Sequence, residues 1–311
     1  MWGMIATWNM ARDGVKKAEE ILSNAGSACE ATEAAIIEVE NNPEYSSVGY
    51  GGMPNDEGNV ELDAAYMDGD NFNIGAIAGA SNIKNPISVA KKLSEESYNI
   101  FLVGNGATKY AEKEGFELKN MLTPKSKKDY TERVKEIYEK DLSPYDGHDT
   151  VGVVTLDAFG KMVTGTSTSG LFMKKAGRIG DSALSGSGFY VDSQIGGATA
   201  TGLGEDLMKG CVSYEIVRLM GEGATPEAAC KQTIQMLTKK LIKKDEKARA
   251  WSVIAMNNKG EWGVATNVEF SFVVATQDQE TTVYMANPTA DGNTEIKPVT
   301  DDNKSSVPKG W

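Results

Sequence analysis

The chain has 311 residues and a formal net charge of -12, with 44 acidic against 32 basic side chains. That length can bury a large core, as one big domain or two smaller ones, while the acidic balance argues against a nucleic-acid or membrane partner, whose phosphates need clustered Lys and Arg. A single histidine, His148, excludes multi-histidine metal sites. Cys29, Cys211 and Cys230 are too few and scattered for a disulfide framework and lack zinc-ligand spacing.

In chain order, Met4–Trp8 reads as a short buried strand and Gly14–Asn24 as a helix that Gly26 ends. Ser27 is an N-cap for a second helix reaching about Asn41. After a glycine loop at Gly49–Gly52, Leu62–Met67 and Asn73–Ala78 read as two strands turning at Asp68-Gly69-Asp70. Pro86 starts a helix to about Tyr98, Ile100–Val103 is a buried strand followed by a helix, and a charged helix covers Lys125–Lys140. Past the polar linker Asp141–Gly147, Val151–Asp157 and Lys161–Ser167 form a hairpin turning at Ala158-Phe159-Gly160. Gly177–Gly204 is an irregular stretch rich in Gly and Ser, of the kind in which sites are built. Helices over Glu205–Met220 and Pro226–Leu237 and strands over Ser252–Met256, Gly263–Thr266 and Phe270–Thr276 complete the pattern. The cysteines read as small helix-packing residues, Lys239-Lys240 and Lys243-Lys244 as a solvated helix face, and Ala290–Trp311 as a loose polar tail. Hairpins outnumber β-α-β units, which favours a layered α+β domain of antiparallel sheets covered by helices.

Candidate chemistry gathers at His148-Asp149-Thr150-Val151-Gly152, where the linker meets a strand. A threonine there has its hydroxyl beside the preceding carbonyl; attack on it would free a chain beginning at Thr150, with nucleophile and base in one residue. Taken alone, the motif reads as an ordinary threonine heading a strand, and the rest of the sequence has to decide. A Ser-His-Asp triad would have to use His148, two residues before that nucleophile, and is disfavoured. The hairpin brings Thr168 back beside Thr150. On the glycine-rich loop, Arg178-Ile179-Gly180-Asp181 either forms an internal salt bridge or clamps the carboxylate and ammonium of a free α-amino acid. Thr201-Gly202-Leu203-Gly204 either simply opens a helix or holds a developing oxyanion. Trp8 ends the first strand, where a tryptophan is more often a core residue than a cap. Gly104-Asn105-Gly106 lacks the third glycine of a dinucleotide fingerprint and reads as a strand-to-helix turn.

Over about Met4 to Thr276 the order and spacing of Thr7-Trp8-Asn9, Ser47–Gly52, Leu62-Asp63-Ala64, Lys84–Ile87, His148–Gly152, Thr166–Gly170, Gly177–Ser182 and Ala198–Gly202 resemble the glycosylasparaginases, a family of N-terminal-nucleophile hydrolases. The resemblance implies a four-layer αββα sandwich of two antiparallel sheets covered by helices. It also implies a precursor that cuts itself between Asp149 and Thr150 into pieces 1–149 and 150–311, giving an αβ heterodimer or a dimer of these. Carried over residue by residue, it makes Thr150 the nucleophile with its new amine as base and Thr168 bonded to it. Arg178, Ile179, Gly180 and Asp181 form the substrate loop, Arg178 taking the α-carboxylate and Asp181 the α-ammonium. Thr201 and Gly202 form the oxyanion hole beside Leu203 and Gly204, Trp8 lines the pocket, and His148 and Asp149 act in self-processing only. The implied reaction is hydrolysis of the bond between N-acetylglucosamine and the side chain of free asparagine, without metal or cofactor. The alternatives are an isoaspartyl peptidase or plant-type asparaginase, and a non-catalytic amino-acid-binding protein. Val153-Val154 departs from the family's usual methionine-containing pair, and the tail after Met285 has no evident match. No signal peptide precedes the first strand, so a cytoplasmic protein and an exported one that has lost its leader both remain open.

Overall fold

A computed structural model describes residues 1–140, 149–242 and 249–300. His148, the linker 141–147, Lys243-Lys244 and the tail from 301 lie outside the described residues. In chain order the strands are β1 (Gly3–Thr7), β2 (Leu62–Asp68), β3 (Ile74–Ala80), β4 (Phe101–Val103), β5 (Val151–Leu156), β6 (Met162–Thr168), β7 (Phe189–Asp192), β8 (Gly196–Gly202), β9 (Trp251–Asn257), β10 (Trp262–Thr266), β11 (Phe270–Thr276), β12 (Gln279–Pro288) and β13 (Thr294–Pro298). Nine of them form the larger sheet, in the order β13-β12-β11-β1-β5-β6-β2-β3-β4, and the other four a smaller one, in the order β10-β9-β8-β7. Helices α1 (Arg12–Ser23), α2 (Ala28–Asn41), α3 (Pro86–Leu93), α4 (Gly104–Lys113) and α5 (Pro124–Lys140) come from the first half, and α6 (Gly204–Gly210), α7 (Val212–Gly221) and α8 (Pro226–Ile242) from the second.

Alternation along the strands sorts side chains into three apolar layers. Met4, Ala6, Val151, Val153 and Val163 pack with Val15, Leu22, Ile36 and Ile87 of the first-half helices. Ile5, Val154, Leu156 and Phe272 meet Phe189, Val191, Ile254 and Met256 of the smaller sheet. Ala198, Ala200 and Val253 pack under Ile216, Val217 and Leu237 of α7 and α8. The result is the expected αββα sandwich. Close approach is set by glycine: a Cβ on Gly14 of α1 would come within 2.2 Å of the Ala35 carbonyl of α2, and one on Gly75 of β3 within 1.9 Å of the Ala90 carbonyl of α3. The predicted N-cap is present, with Ser27 and Glu30 forming a reciprocal capping box that contributes about 1 kcal/mol.

Several expectations need correction. The larger sheet is mixed, because β3 and β4 run parallel. The strand at 101–103 is an exposed edge, with Phe101 40 % and Val103 57 % exposed, so its apolar composition did not report burial. The helix from Pro86 stops at Leu93. Gly177–Gly204 contains β7 and β8; the latter, Gly-Gly-Ala-Thr-Ala-Thr-Gly, reads as loop because small residues replace the branched ones that usually mark strands. Gly197 is nonetheless required, since a Cβ there would come within 2.8 Å of Val154 in the facing sheet. The helix over Glu205–Met220 breaks at Cys211, whose φ of 44° is left-handed and which is exposed rather than packed. Cys230 is buried in α8 as expected. Part of the supposed tail is β13, paired with β12.

Candidate active site

Thr150 stands at the head of β5, in the middle of the large sheet between β1 and β6. Its neighbours Val151 and Val153 face the helices, so the alternation turns Thr150, like Gly152 and Val154, toward the smaller sheet. Gly152 is the second device: a Cβ there would come within 2.8 Å of the Thr199 hydroxyl, so glycine lets β8 close over the strand head. Thr7, the last residue of β1, fixes the same point. Its hydroxyl donates to the Thr150 carbonyl and accepts from the Gly152 amide at 2.8 Å.

Register brings the two threonines side by side, since Val151 lies opposite Ser167 and sets Thr150 beside Thr168. Their bonding differs from expectation. The single proton of the Thr168 hydroxyl is shared between the carbonyls of Asp149 at 3.2 Å and Ser47 at 3.3 Å, and its oxygen accepts from the Gly170 amide. It therefore touches the carbonyl before Thr150, not the Thr150 nitrogen. That nitrogen donates instead to the Thr201 hydroxyl at 3.1 Å. Thr201 also accepts the Trp8 indole N–H at 3.0 Å. With both lone pairs taken, the Thr201 hydroxyl proton is free to be donated elsewhere. Trp8 adopts a positive φ of 63°, held by its amide bond to the Ser271 carbonyl and an edge contact with Phe270 at 4.9 Å; such backbone strain costs on the order of 1–3 kcal/mol and is concentrated at functional sites. Gly202 ends β8 at φ 132°, where a Cβ would meet the Ala250 carbonyl at 2.4 Å.

The loop with Arg178 runs alongside. The internal Arg178–Asp181 salt bridge is absent. Arg178 makes a two-pronged bond to Glu205 of α6, Nε at 2.9 Å and Nη2 at 2.7 Å, with the guanidinium largely buried. Burial works to raise the Glu205 carboxyl, but the bond and charge of Arg178 outweigh it and hold it below its ordinary value. Nη1 lies over Gly180, where a Cβ would come within 3.0 Å, so glycine leaves the guanidinium room. Gly204 plays the same part for Asp181: a Cβ there would reach Asp181 Oδ1 at 2.9 Å. Ile179 packs between the sheets and Leu203 is buried where β8 turns into α6.

Asp181 is 3 % exposed, and its Oδ2 has no hydrogen-bond partner. Burial pushes its carboxyl up to about 7; its own amide and Arg178 oppose the rise, while Glu205 and Asp63 add to it. An unsatisfied buried carboxylate oxygen is suited to receive a cation. Asp63, opposite Thr168 in the β2–β6 pairing, is likewise buried and raised by burial, with Lys174 and the Gly79 amide counteracting; Oδ1 accepts from Gly79 at 2.7 Å and Oδ2 has no partner.

Sequence reasoning gave no role to four residues found here. Ser182 bonds to Thr150 Oγ at 3.0 Å, Thr7 anchors the strand head, Ser47 accepts from Thr168, and Glu205 holds Arg178. The first three sit inside motifs already singled out; Glu205 carries no local signal. Among the described residues no group of His, Cys, Asp and Glu could hold a metal ion. A surface cleft of about 580 Å³, lined by Asn59, Ser81, Thr108 and Lys119 among others, includes none of the site residues.

The chain is 39% identical over 279 residues to N(4)-(beta-N-acetylglucosaminyl)-L-asparaginase of Elizabethkingia miricola, covering 89% of this chain and 82% of that one. It is 33% identical over 306 residues to the enzyme of the same name from Rattus norvegicus, covering 87% of each. It is also 34% identical over 277 residues to an isoaspartyl peptidase/L-asparaginase of Xenopus laevis, covering 86% of this chain and 87% of that one. The profile of the Asparaginase_2 family, described as asparaginase, matches residues 6–286, from within β1 to within β12, and the chain therefore belongs to that family.

Proposed function

We propose that this chain is a self-activating amidohydrolase that splits N4-(β-N-acetylglucosaminyl)-L-asparagine, with Thr150 as nucleophile. The observation that carries the reading is the convergence on one strand head of a threonine hydroxyl, a second hydroxyl on the preceding carbonyl, and a loop offering a guanidinium and an unsatisfied carboxylate. In the uncut chain Thr150 Oγ attacks the Asp149 carbonyl carbon, which Thr168 polarises. The C–N bond to Thr150 breaks as the C–O bond forms, and the hydroxyl proton ends on the departing nitrogen. Water then hydrolyses the ester, leaving Asp149 with a carboxylate and Thr150 with a free α-amine. His148 and Asp149 serve this stage alone.

In the cut enzyme the amine takes the proton from Thr150 Oγ as the oxygen attacks the side-chain carbonyl of the substrate. The oxyanion rests on the Thr201 hydroxyl and the Gly202 amide, and the glycosylamine leaves with a proton. Water releases aspartate from the resulting ester. Arg178 takes the substrate α-carboxylate and Asp181 its α-ammonium, so asparagine within a peptide, whose α-groups are neutral amides, is rejected. Trp8 walls the pocket and holds Thr201. The substrate is a small molecule and the working unit is the pair of pieces 1–149 and 150–311.

The test has two arms. Wild type should run as two fragments on a denaturing gel, the second beginning with threonine, while Thr150→Ala stays whole and inactive; an uncut chain with full activity would sink the mechanism. Kinetics with the sugar-asparagine conjugate, a β-aspartyl dipeptide and free asparagine should favour the conjugate, with aspartate released from each. Preference for the dipeptide would make the enzyme an isoaspartyl peptidase and leave the threonine mechanism standing. Binding of asparagine without turnover by a cut chain would make it an amino-acid-binding protein.

A further inference from the structure

We propose that Ser182 is a catalytic hydroxyl that serves Thr150 in both stages, accepting its hydrogen bond before the cut and donating to it afterwards. The assignment rests on Thr150 being the nucleophile. Ser182 Oγ lies 3.0 Å from Thr150 Oγ, is part of a residue 2 % exposed, and has no other hydrogen-bond partner among the described residues. Its main chain is pinned on three sides. The Thr166 hydroxyl donates to the Ser182 carbonyl at 2.5 Å, the Leu184 amide closes a turn onto Asp181 at 2.8 Å, and Gly188 packs so closely that a Cβ there would reach Ser182 Cα at 2.7 Å. A hydroxyl locked this firmly against one partner atom is an orienting device, since its rotamer entropy was already lost on folding.

The direction of the bond follows from what surrounds it. In the uncut chain the Thr150 nitrogen is an amide, has no basic lone pair, and already donates to Thr201. Ser182 Oγ is then the acceptor in place for the Thr150 hydroxyl proton, and the bond holds that hydroxyl in one rotamer for attack on Asp149. After the cut, the Thr150 amine takes the hydroxyl proton, so the bond must reverse, with Ser182 O–H donating to Thr150 Oγ. Donation stabilises the charge that develops on that oxygen as the amine takes its proton, and again when the oxygen departs as water attacks the ester. Ser182 makes and breaks no covalent bond and ends each cycle unchanged. It also sits next to Asp181, so the residue that would receive the substrate ammonium and the one that orients the nucleophile share a single pinned turn.

Ser182→Ala removes the bond and keeps the fold contacts. A hydrogen bond to a charge-bearing oxygen corresponds to a loss of roughly ten- to hundredfold. The variant should cut itself that much more slowly in a denaturing-gel time course, and once cut should show a kcat reduced by a similar factor with KM nearly unchanged. Ser182→Thr, which restores the hydroxyl, should recover part of both rates. If the alanine variant melts far below wild type, Ser182→Cys, similar in size and a weak donor, replaces it. Wild-type cutting and kcat in a folded Ala or Cys variant, with Thr150→Ala inert, would overturn the role of Ser182 and leave Thr150 intact. Activity in Thr150→Ala itself would instead remove the reading on which the inference rests.

Discussion

Replacing Asp181 with asparagine should stabilise the protein at alkaline pH while disabling it. The side chain is 3 % exposed with an unpartnered Oδ2, and burial raises its carboxyl from 3.8 to about 7. Between those values the folded chain keeps a proton that the unfolded chain has released. The associated stability is therefore complete below about pH 4 and is lost progressively as pH rises through 7. A displacement of this size corresponds to about 4 kcal/mol at most. The amide of the Asp181→Asn variant cannot ionise. At pH 4 the two proteins should thus melt within about a degree of each other, whereas at pH 8 the variant should lead by about 2–4 kcal/mol, or roughly 4–8 °C. Thermal melts of wild type and Asp181→Asn at pH 4, 5, 6, 7 and 8 measure this directly. The same ionisation governs catalysis with opposite sign: the substrate ammonium needs the carboxylate, so wild-type kcat/KM should fall as pH drops below about 7 while the variant is uniformly poor. Saturating aspartate should raise the melting temperature of wild type only. Parallel melting curves across the whole range would refute the claim that Asp181 carries an uncompensated burial cost reserved for a cation.

Two further outcomes follow from the same geometry. Arg178→Gln should lower kcat/KM by roughly thirtyfold or more, about 2–5 kcal/mol for a desolvated charge partner, because it also leaves the Glu205 carboxylate uncompensated beside the incoming substrate; self-cutting should continue, and undiminished turnover would mark Arg178 as structural. Gly75→Ala should cost about 1–3 kcal/mol or more in a urea titration, since its Cβ would sit 1.9 Å from the Ala90 carbonyl and 2.4 Å from the Ser94 nitrogen; an unchanged midpoint would show that α3 can lift off β3.

Sequence reasoning recovered what local patterns encode. The β5–β6 hairpin was legible because Val151–Leu156 and Met162–Thr168 alternate around a turn, and its register followed from the turn position. The capping box at Ser27 and the strand-to-helix step at Gly104 are local too. What escaped was decided by tertiary contact. In strand β8 glycine is needed at 197 because Val154 of the facing sheet leaves no room for a Cβ, and at 196 because the Met256 carbonyl of the neighbouring strand lies too close, and both reasons lie far along the chain. The break at Cys211 has no proline or glycine of its own to announce it beyond Gly210. At the site, the motifs supplied Thr150, Thr168, Arg178, Asp181 and Thr201, but the bonds among them did not come with the motifs. Thr168 reaches the Asp149 carbonyl, Thr201 takes the Thr150 amide, and Arg178 is held by a glutamate 27 residues away that no spacing rule would select.

The strand order of the large sheet has a consequence for assembly. Read across, β13, β12 and β11 come from after Thr150, β1 from before it, β5 and β6 from after, and β2, β3 and β4 from before. A chain severed ahead of Thr150 would thus yield two polypeptides interleaved like the fingers of clasped hands, meeting at three strand boundaries. Neither could leave without tearing open a continuous ladder and exposing the apolar layers on both of its faces. The cut would be silent in a native gel and plain in a denaturing one. Fragments expressed separately would each lack the strands that their own edges require, so activity should be recoverable only from a chain that folded whole and was divided afterwards.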